Sequence, residues 1–309
     1  MKLPADIEQD NRIATSIITS LVASHIDVHQ ALLKRSTAVK SECLTIHRSD
    51  FTPASLSQLF QPAASDLVIS TFAGGSFEVQ QSIIDCAVDA GVRRFIPAEF
   101  GHDSLNERIQ ERLPPVKERA EVISYLKKLA EQDRIEWVAV ATGCLLDHGL
   151  ISGNLGFDMQ WQSATLHGSG DERFAASSVA WIGQVVLNVI QQWDRVRNQY
   201  LYTAGLTTTA NELLRCLEQT IGKQWEAGRG DVEDCVREAE RRIARGFPDA
   251  GMFLVERSVL YDELLDGARP FVEDDGKEKL GLQGERLEDV VKSAVHSHKH
   301  AGKGGCGCD

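Results

Sequence analysis

Apolar positions along the first half of the chain switch repeatedly between two periods. Ile13, Ile17, Ile18, Leu21 and Val22 recur at helical spacing, with Asp10 or Asn11 placed as the cap, and predict a helix. "DVHQALL" (27–33) and "CLTIHRS" (43–49) read as strands, and Thr52 and Ser55 suit the start of a helix over 50–60. "DLVISTFA" (66–73) is a near-continuous apolar strand, followed by an amphipathic helix over 76–91 that Gly91 stops. "RRFIPAEFG" (93–101) gives the next strand and its exit loop, then a helix over 114–133 and a strand over 136–146. Apolar strands alternating with amphipathic helices imply parallel βαβ units with right-handed crossovers, a doubly wound α/β sheet.

After residue 150 the alternation loosens. Short strands and glycine turns lead into a helix before 192, a returning sheet strand near 198–205 and a well-capped helix over 207–222. The charged helix over 231–246, with pairs such as Glu233–Arg237, reads as a solvated face. This predicts a Rossmann-like domain over 1–150, a smaller α+β lobe over 151–295 and a disordered tail over 296–309.

Charge narrows the partners. With 33 basic and 45 acidic side chains the chain carries a net charge of −12, which disfavours nucleic acid and anionic membrane. No apolar run approaches the ~20 residues of a membrane span and no basic-then-apolar leader is visible, so a cytoplasmic protein with a small-molecule substrate is expected. Seven scattered cysteines fit reduced thiols. The tail's His296, His298, His300, Cys306 and Cys308 lack zinc-module spacing, so no metal site is expected.

Ligands of open α/β sheets bind beyond the carboxyl ends of the strands, here 71–75, 97–103 and 142–148. "AGVRRFIPAEFG" (90–101) resembles the stretch that ends in Ser-Glu-Phe-Gly in isoflavone reductases and phenylcoumaran benzylic ether reductases. "ATGCLLDHGL" (141–150), "GNLGFD" (153–158) and "GLTTTANELL" (205–214) match in order and spacing, and the likeness is greatest to fungal NmrA-like, isoflavone-reductase-like proteins. It runs from about Arg12 to Val295. The resemblance implies an atypical short-chain dehydrogenase fold with an NADP(H) lobe and a smaller substrate lobe. The implied activities are reductions of small, often aromatic, specialised metabolites, alongside nucleotide-binding regulators without catalysis.

By that resemblance Arg35 meets the 2′-phosphate of NADP(H), Thr71, Phe72 and Ala73 pass beside the dinucleotide, and Pro97, Glu99 and Phe100 lie near the nicotinamide. Arg35 reads equally as a solvated strand end, and turn geometry alone accounts for the two loops.

Two departures stand out. The eleven residues before Arg12 hold no glycine and no apolar strand, so the strand and glycine-rich turn that would cradle a pyrophosphate are expected to be missing, leaving a gap in the sheet. The family's catalytic lysine aligns with Arg119, which stays charged and cannot shuttle a proton, although it can hold an oxyanion. Lys117 is two positions earlier, ~200° round the helix, and reads as a surface charge. His148, in Asp147-His148-Gly149, is a candidate general base at a strand's carboxyl end; its plainer reading is a satisfied or solvent-facing histidine. His102 and Asp103 are weaker candidates of the same sort. Three readings stay open: an NADP(H)-dependent reductase, a cofactor-independent isomerase, cyclase or dehydratase on the same scaffold, and a non-catalytic binding protein.

Overall fold

The computed structural model describes residues 12–32, 39–63, 66–72 and 76–300. Asp10, Asn11, Arg35, Ala73, Cys306 and Cys308 lie outside the described residues. The chain divides into two compact units, each built from more than one stretch.

The first unit spans 1–141, 179–203 and 274–282. Its opening elements are α1 (Arg12–Ala23), β1 (Val28–Leu32), β2 (Leu44–Arg48), α2 (Pro53–Ala63), β3 (Leu67–Ile69) and α3 (Phe77–Asp89). They are followed by β4 (Arg94–Ile96), α4 (Glu107–Arg112), α5 (Pro114–Glu131) and β5 (Glu136–Ala141). The second unit then begins with β6 (Cys144–Leu145), α6 (Leu146–Ser152), β7 (Phe157–Asp158), β8 (Ser163–His167) and β9 (Phe174–Ser177). The chain returns to the first unit with α7 (Val179–Gln191), α8 (Trp193–Val196) and β10 (Gln199–Tyr202). Another passage through the second unit adds β11 (Leu206–Thr208), α9 (Ala210–Ile221), β12 (Glu226–Gly230), α10 (Val232–Ala244), α11 (Pro248–Tyr261) and α12 (Arg269–Glu273). A short helix, α13 (Lys277–Leu280), belongs to the first unit, and α14 (Leu287–His300) closes the second.

In the first unit β10, β5, β4 and β3 form a parallel sheet in that order. Trp137 to Ala141 of β5 are all buried, as a central strand covered on both faces requires. The core under β4 and β5 joins Leu56 and Phe60 of α2, Ile83, Ile84 and Ala87 of α3, and Ile123 and Leu126 of α5. β1 and β2 pair in parallel as a separate two-stranded sheet, and among the described residues no strand joins β1 to β3. α1 and α7 cross closely at Gly183, where a Cβ would collide with the Ser16 carbonyl and the Ser20 hydroxyl. The buried face of α1, Ile17, Ile18, Ser20 and Leu21, follows the helical spacing read from the sequence.

The second unit has two small sheets, β11-β9-β6 and β12-β8-β7, over a core that includes Leu150, Phe157, Phe174, Leu213, Tyr261 and Val291. A reciprocal Thr209–Glu212 capping box starts α9. On α10, Arg237 pairs with Asp234 rather than with Glu233, whose amide donates to Asp231 at the helix start. α14 runs to His300, because Val290, Val291, Ala294 and Val295 anchor its apolar face and the helix carries the polar run with it. His296, His298 and His300 therefore sit on a helix and not in the expected tail. Among the described residues no three His, Cys, Asp or Glu side chains cluster to hold a metal ion, and no helix is long and apolar enough to cross a membrane.

Candidate active site

β3 and β4 are short because both give way to loops at their carboxyl ends. The loop after β3 is fixed by Gln80 of α3, which donates from Nε2 to the Phe72 carbonyl (3.2 Å) and accepts at Oε1 from the Ser70 hydroxyl (3.0 Å). The Phe72 ring is buried and meets Phe51 at 5.2 Å between centroids. Beside this loop is a cavity of about 270 Å³, lined in part by Phe72, Gln80, Pro97, Glu99, Glu118 and Arg119.

Glu99 is 1% exposed. Its Oε1 accepts a 2.6 Å hydrogen bond from the Tyr200 hydroxyl of β10, and that hydroxyl in turn accepts from the Ser104 amide at 2.9 Å. The Ser104 side chain also faces the carboxyl and favours its ionised form. Burial pushes the Glu99 carboxyl up to about 7, against the lowering pull of Arg119, Ser104 and Tyr200. Two residues along β10, Tyr202 donates to Asp103 at 3.1 Å, and burial raises Asp103 as well. Burial, reinforced by the Arg119 charge, holds His102 down to about 4, so this histidine is neutral near pH 7.

Arg119 is on α5, half-buried. Its Nη1 comes within 2.9 Å of where a Cβ on Gly101 would stand, so the guanidinium passes close over the backbone of the Glu-Phe-Gly loop. Among the described residues Arg119 makes no hydrogen bond or ion pair, although its charge acts on both Glu99 and His102. Its neighbour Glu118 is engaged: a carboxylate oxygen accepts from the Phe77 amide (2.7 Å) at the amino end of α3, where a negative charge is favourable.

The cavity therefore brings together four of the residues singled out in the sequence, Phe72, Pro97, Glu99 and Arg119. Phe100 is buried behind the same loop, and Thr71 is half-buried just before Phe72. Lys117 is exposed on α5 and is not in the lining. His148 is half-buried on α6 in the second unit, where its amide donates to Asp147 at 2.8 Å. Sequence reasoning missed Tyr200, Gln80 and Glu118. Tyr200 and Tyr202 do sit two apart in a strand, which puts them on one face, but nothing local names the carboxyls they meet.

The NmrA-like family model matches residues 27–251. An oxidoreductase, aprR, of Aspergillus flavus is 34% identical over 204 residues, covering 66% of this chain and 68% of the relative. Oxidoreductase poxI of Penicillium oxalicum is 27% identical over 289 residues, with 91% and 90% covered. Among solved structures, isoflavone reductase superposes with a TM-score of 0.69 at 17% identity, covering 91% of this chain and 95% of that one. The leucoanthocyanidin reductase–NADPH complex of Vitis vinifera does so with a TM-score of 0.70 at 17% identity, covering 92% and 96%. These likenesses give a Rossmann-like fold of the isoflavone-reductase type, and the match over most of its length makes the chain a member of the NmrA-like family.

Proposed function

We propose that this chain is an enzyme of small-molecule metabolism in which Glu99 moves a proton and Arg119 holds the substrate oxygen from which charge develops. The observation that carries this reading is the buried Glu99 carboxyl, raised to about 7 at the wall of a cavity it shares with a guanidinium that is unpaired among the described residues. A general base works best when its pKa is near the operating pH, and a fixed cation beside the reacting oxygen acts strongly where water is excluded. The oxidoreductase names of its relatives supply the class of chemistry. A reduction needs a proton beside its hydride and an isomerisation needs a proton alone; Glu99 serves either.

The family implies NADP(H), which supplies hydride when bound. The described residues fit only part of it. About 270 Å³ is at the small end of ligand pockets, which run from roughly 300 to 1,000 Å³, and suits one ring rather than a dinucleotide. Among the described residues Arg119 is the lining's single cation, beside the carboxylates Glu99 and Glu118, and the Phe77 amide at the start of α3 is taken by Glu118. A diphosphate asks for several free amides or cations. Arg35 and Ala73, the other expected contacts, lie outside the described residues. The donor set of the described cavity, one cation beside two carboxylates, also supports a second reading, cofactor-independent proton transfer next to a carbonyl.

One experiment addresses both readings. Ring ketones and enones are assayed for turnover with and without NADPH, in the native protein and in Glu99→Gln, alongside calorimetric titration with NADPH. In the native protein kcat/KM turns at a pH of about 7: it rises to a plateau above that value where Glu99 acts as the base of an isomerisation, and falls above it where Glu99 supplies the proton of a reduction. Glu99→Gln lowers turnover by roughly 10²- to 10⁴-fold. A Glu99→Gln variant as active as the parent would overturn the proposal. Micromolar NADPH binding selects the reductase; none at millimolar concentration selects the isomerase.

A further inference from the structure

We propose that the last turn of α14 binds one divalent cation of the kind that prefers imidazole nitrogen, such as Zn²⁺ or Ni²⁺, with His296 and His300 as its two protein ligands. Along the sequence the histidines and cysteines of this end match no zinc module. The helix supplies a different spacing, which these residues meet because α14 runs on to His300. Three features carry the proposal.

The first is register. Residues four apart stand one above the other on a single helix face, and two imidazoles at that spacing are the pair that helix-borne zinc sites use. His296 and His300 have this spacing, and their rings lie 4.4 Å apart between centroids with 46° between their planes. Metal–nitrogen bonds of about 2.0–2.1 Å, at angles from square to tetrahedral, set two chelating rings with centroids about 4.5–5.2 Å apart. Both side chains are exposed, so small side-chain rotations bring two ring nitrogens onto one ion without moving the backbone.

The second is anchoring. Val290, Val291, Ala294 and Val295, in the turns just before, are buried in the core with Leu150, Leu213 and Leu217. That core fixes the backbone on which the two ligands stand, so they are held together before an ion arrives.

The third is the field at the helix end. The carbonyls of a last turn lack amide partners and give the end a partial negative charge, which favours a cation. Lys292, one turn earlier on the same face, is exposed, and its long side chain keeps the ammonium in water.

His298 is two residues from each ligand, ~200° round the helix, and does not share their face. Among the described residues no third His, Cys, Asp or Glu joins the pair, so water fills the other positions of the ion. The bound ion bridges the last turn of α14 and holds it against fraying.

The test titrates Zn²⁺, Ni²⁺ and Mg²⁺ into the full chain by calorimetry near neutral pH. The native protein should take up a single equivalent of Zn²⁺ or Ni²⁺ at micromolar concentration and none of Mg²⁺, which prefers oxygen ligands. His296→Ala and His300→Ala should each weaken that equivalent by about 10²-fold, because the second bond is no longer intramolecular. Alanine keeps helix propensity, so the loss is not that of a melted turn. His298→Ala should leave binding unchanged, and so should Cys306→Ser combined with Cys308→Ser, two positions outside the described residues. Zn²⁺ should also slow amide exchange over 297–300 several-fold in the native protein, and not in His300→Ala.

Uptake of Mg²⁺ equal to that of Zn²⁺ would mean diffuse attraction to an acidic chain and overturns the proposal. Equal losses in all three histidine variants, or loss of the equivalent in the double cysteine variant, overturns it as well. So does the absence of Zn²⁺ binding below about 1 mM in the native protein.

Discussion

Tyr200 and Tyr202 hold two carboxyls of one loop, and the two bonds have different consequences. The Tyr200 bond to Glu99 favours the ionised form, working against burial. Tyr200→Phe removes that donor, so the Glu99 pKa rises further and the limb of the pH–rate profile moves to higher pH. The same change leaves the Ser104 amide without its acceptor and costs about 1–3 kcal/mol of stability. A profile that stays in place while stability falls would reduce Tyr200 to a structural role. Stability also depends on Glu99 itself. Its folded-state pKa of about 7 is above the ordinary 4.5, so the native state holds an extra proton in that window. The contribution is fully present below about 4.5 and is lost as pH rises through 7. Between those limits the native protein should lose about 3 kcal/mol relative to Glu99→Gln, read from urea midpoints at a series of pH values. Parallel curves for the two proteins would mean that Glu99 is not raised. Glu99 was within reach of sequence reasoning because the Glu-Phe-Gly motif follows a strand, where ligands bind. Its partner was not, since Tyr200 is 101 positions away and reaches it only once β10 has paired with β5.

Helices and strands were legible where one face is buried and obscure where neighbours decide. The spacing of Ile17, Ile18 and Leu21 marked α1, the run from Trp137 to Ala141 marked β5, and the well-capped helix read over 207–222 is α9, which begins at Thr209 and Glu212. The return of β10 to β5 after the chain has passed through β6–β9 depends on contacts that no local pattern encodes. Between α11 and α14, each of 14 residues, the stretch from 262 to 286 holds only short helical pieces, which carry weak periodicity. Arg119 followed from its alignment with the family's catalytic lysine, and helix register separates it from exposed Lys117, but the engagement of Glu118 with α3 was not legible in the sequence. The α1–α7 crossing gives an element-scale prediction. Gly183→Ala puts a methyl group against the Ser16 carbonyl, a backbone atom that cannot swing aside, and against the Ser20 hydroxyl, which can. Overpacking of this kind costs about 1–3 kcal/mol, and adding Ser20→Ala should recover only the part due to that hydroxyl. Denaturant midpoints of the single and double variants measure both amounts, and an unchanged midpoint in Gly183→Ala would mean that the helices are further apart.

At the scale of the whole first unit, the parallel strands fall into two sets of unequal support. β5 is hydrogen-bonded on both sides, to β4 and β10, and its residues from Trp137 onward are shielded on both faces. Among the described residues β1 and β2 have only each other, and the exposed His29 of β1 stacks on His47 of β2, with ring centroids 5.1 Å apart and nitrogens 2.9 Å apart. A two-stranded sheet is marginal without further packing, and regions with few buried contacts open at a small fraction of the global free energy. Amide hydrogens of 28–32 and 44–48 should therefore exchange orders of magnitude faster than those of 138–141, and at a rate set by local opening that denaturant barely changes. The His29–His47 contact adds a pH term. His47 is held below the ordinary histidine value by burial and by the charge that His29 can carry. Acidification that charges both rings places like charges face to face and should speed exchange in these two strands while leaving 138–141 unchanged. His29→Gln removes that acid sensitivity. Protection of 28–32 equal to that of β5, at neutral pH and in acid alike, would show that the sheet is continuous across β1 and β3 in solution. The cavity beside β3 would then be closed on that side by sheet rather than by loop.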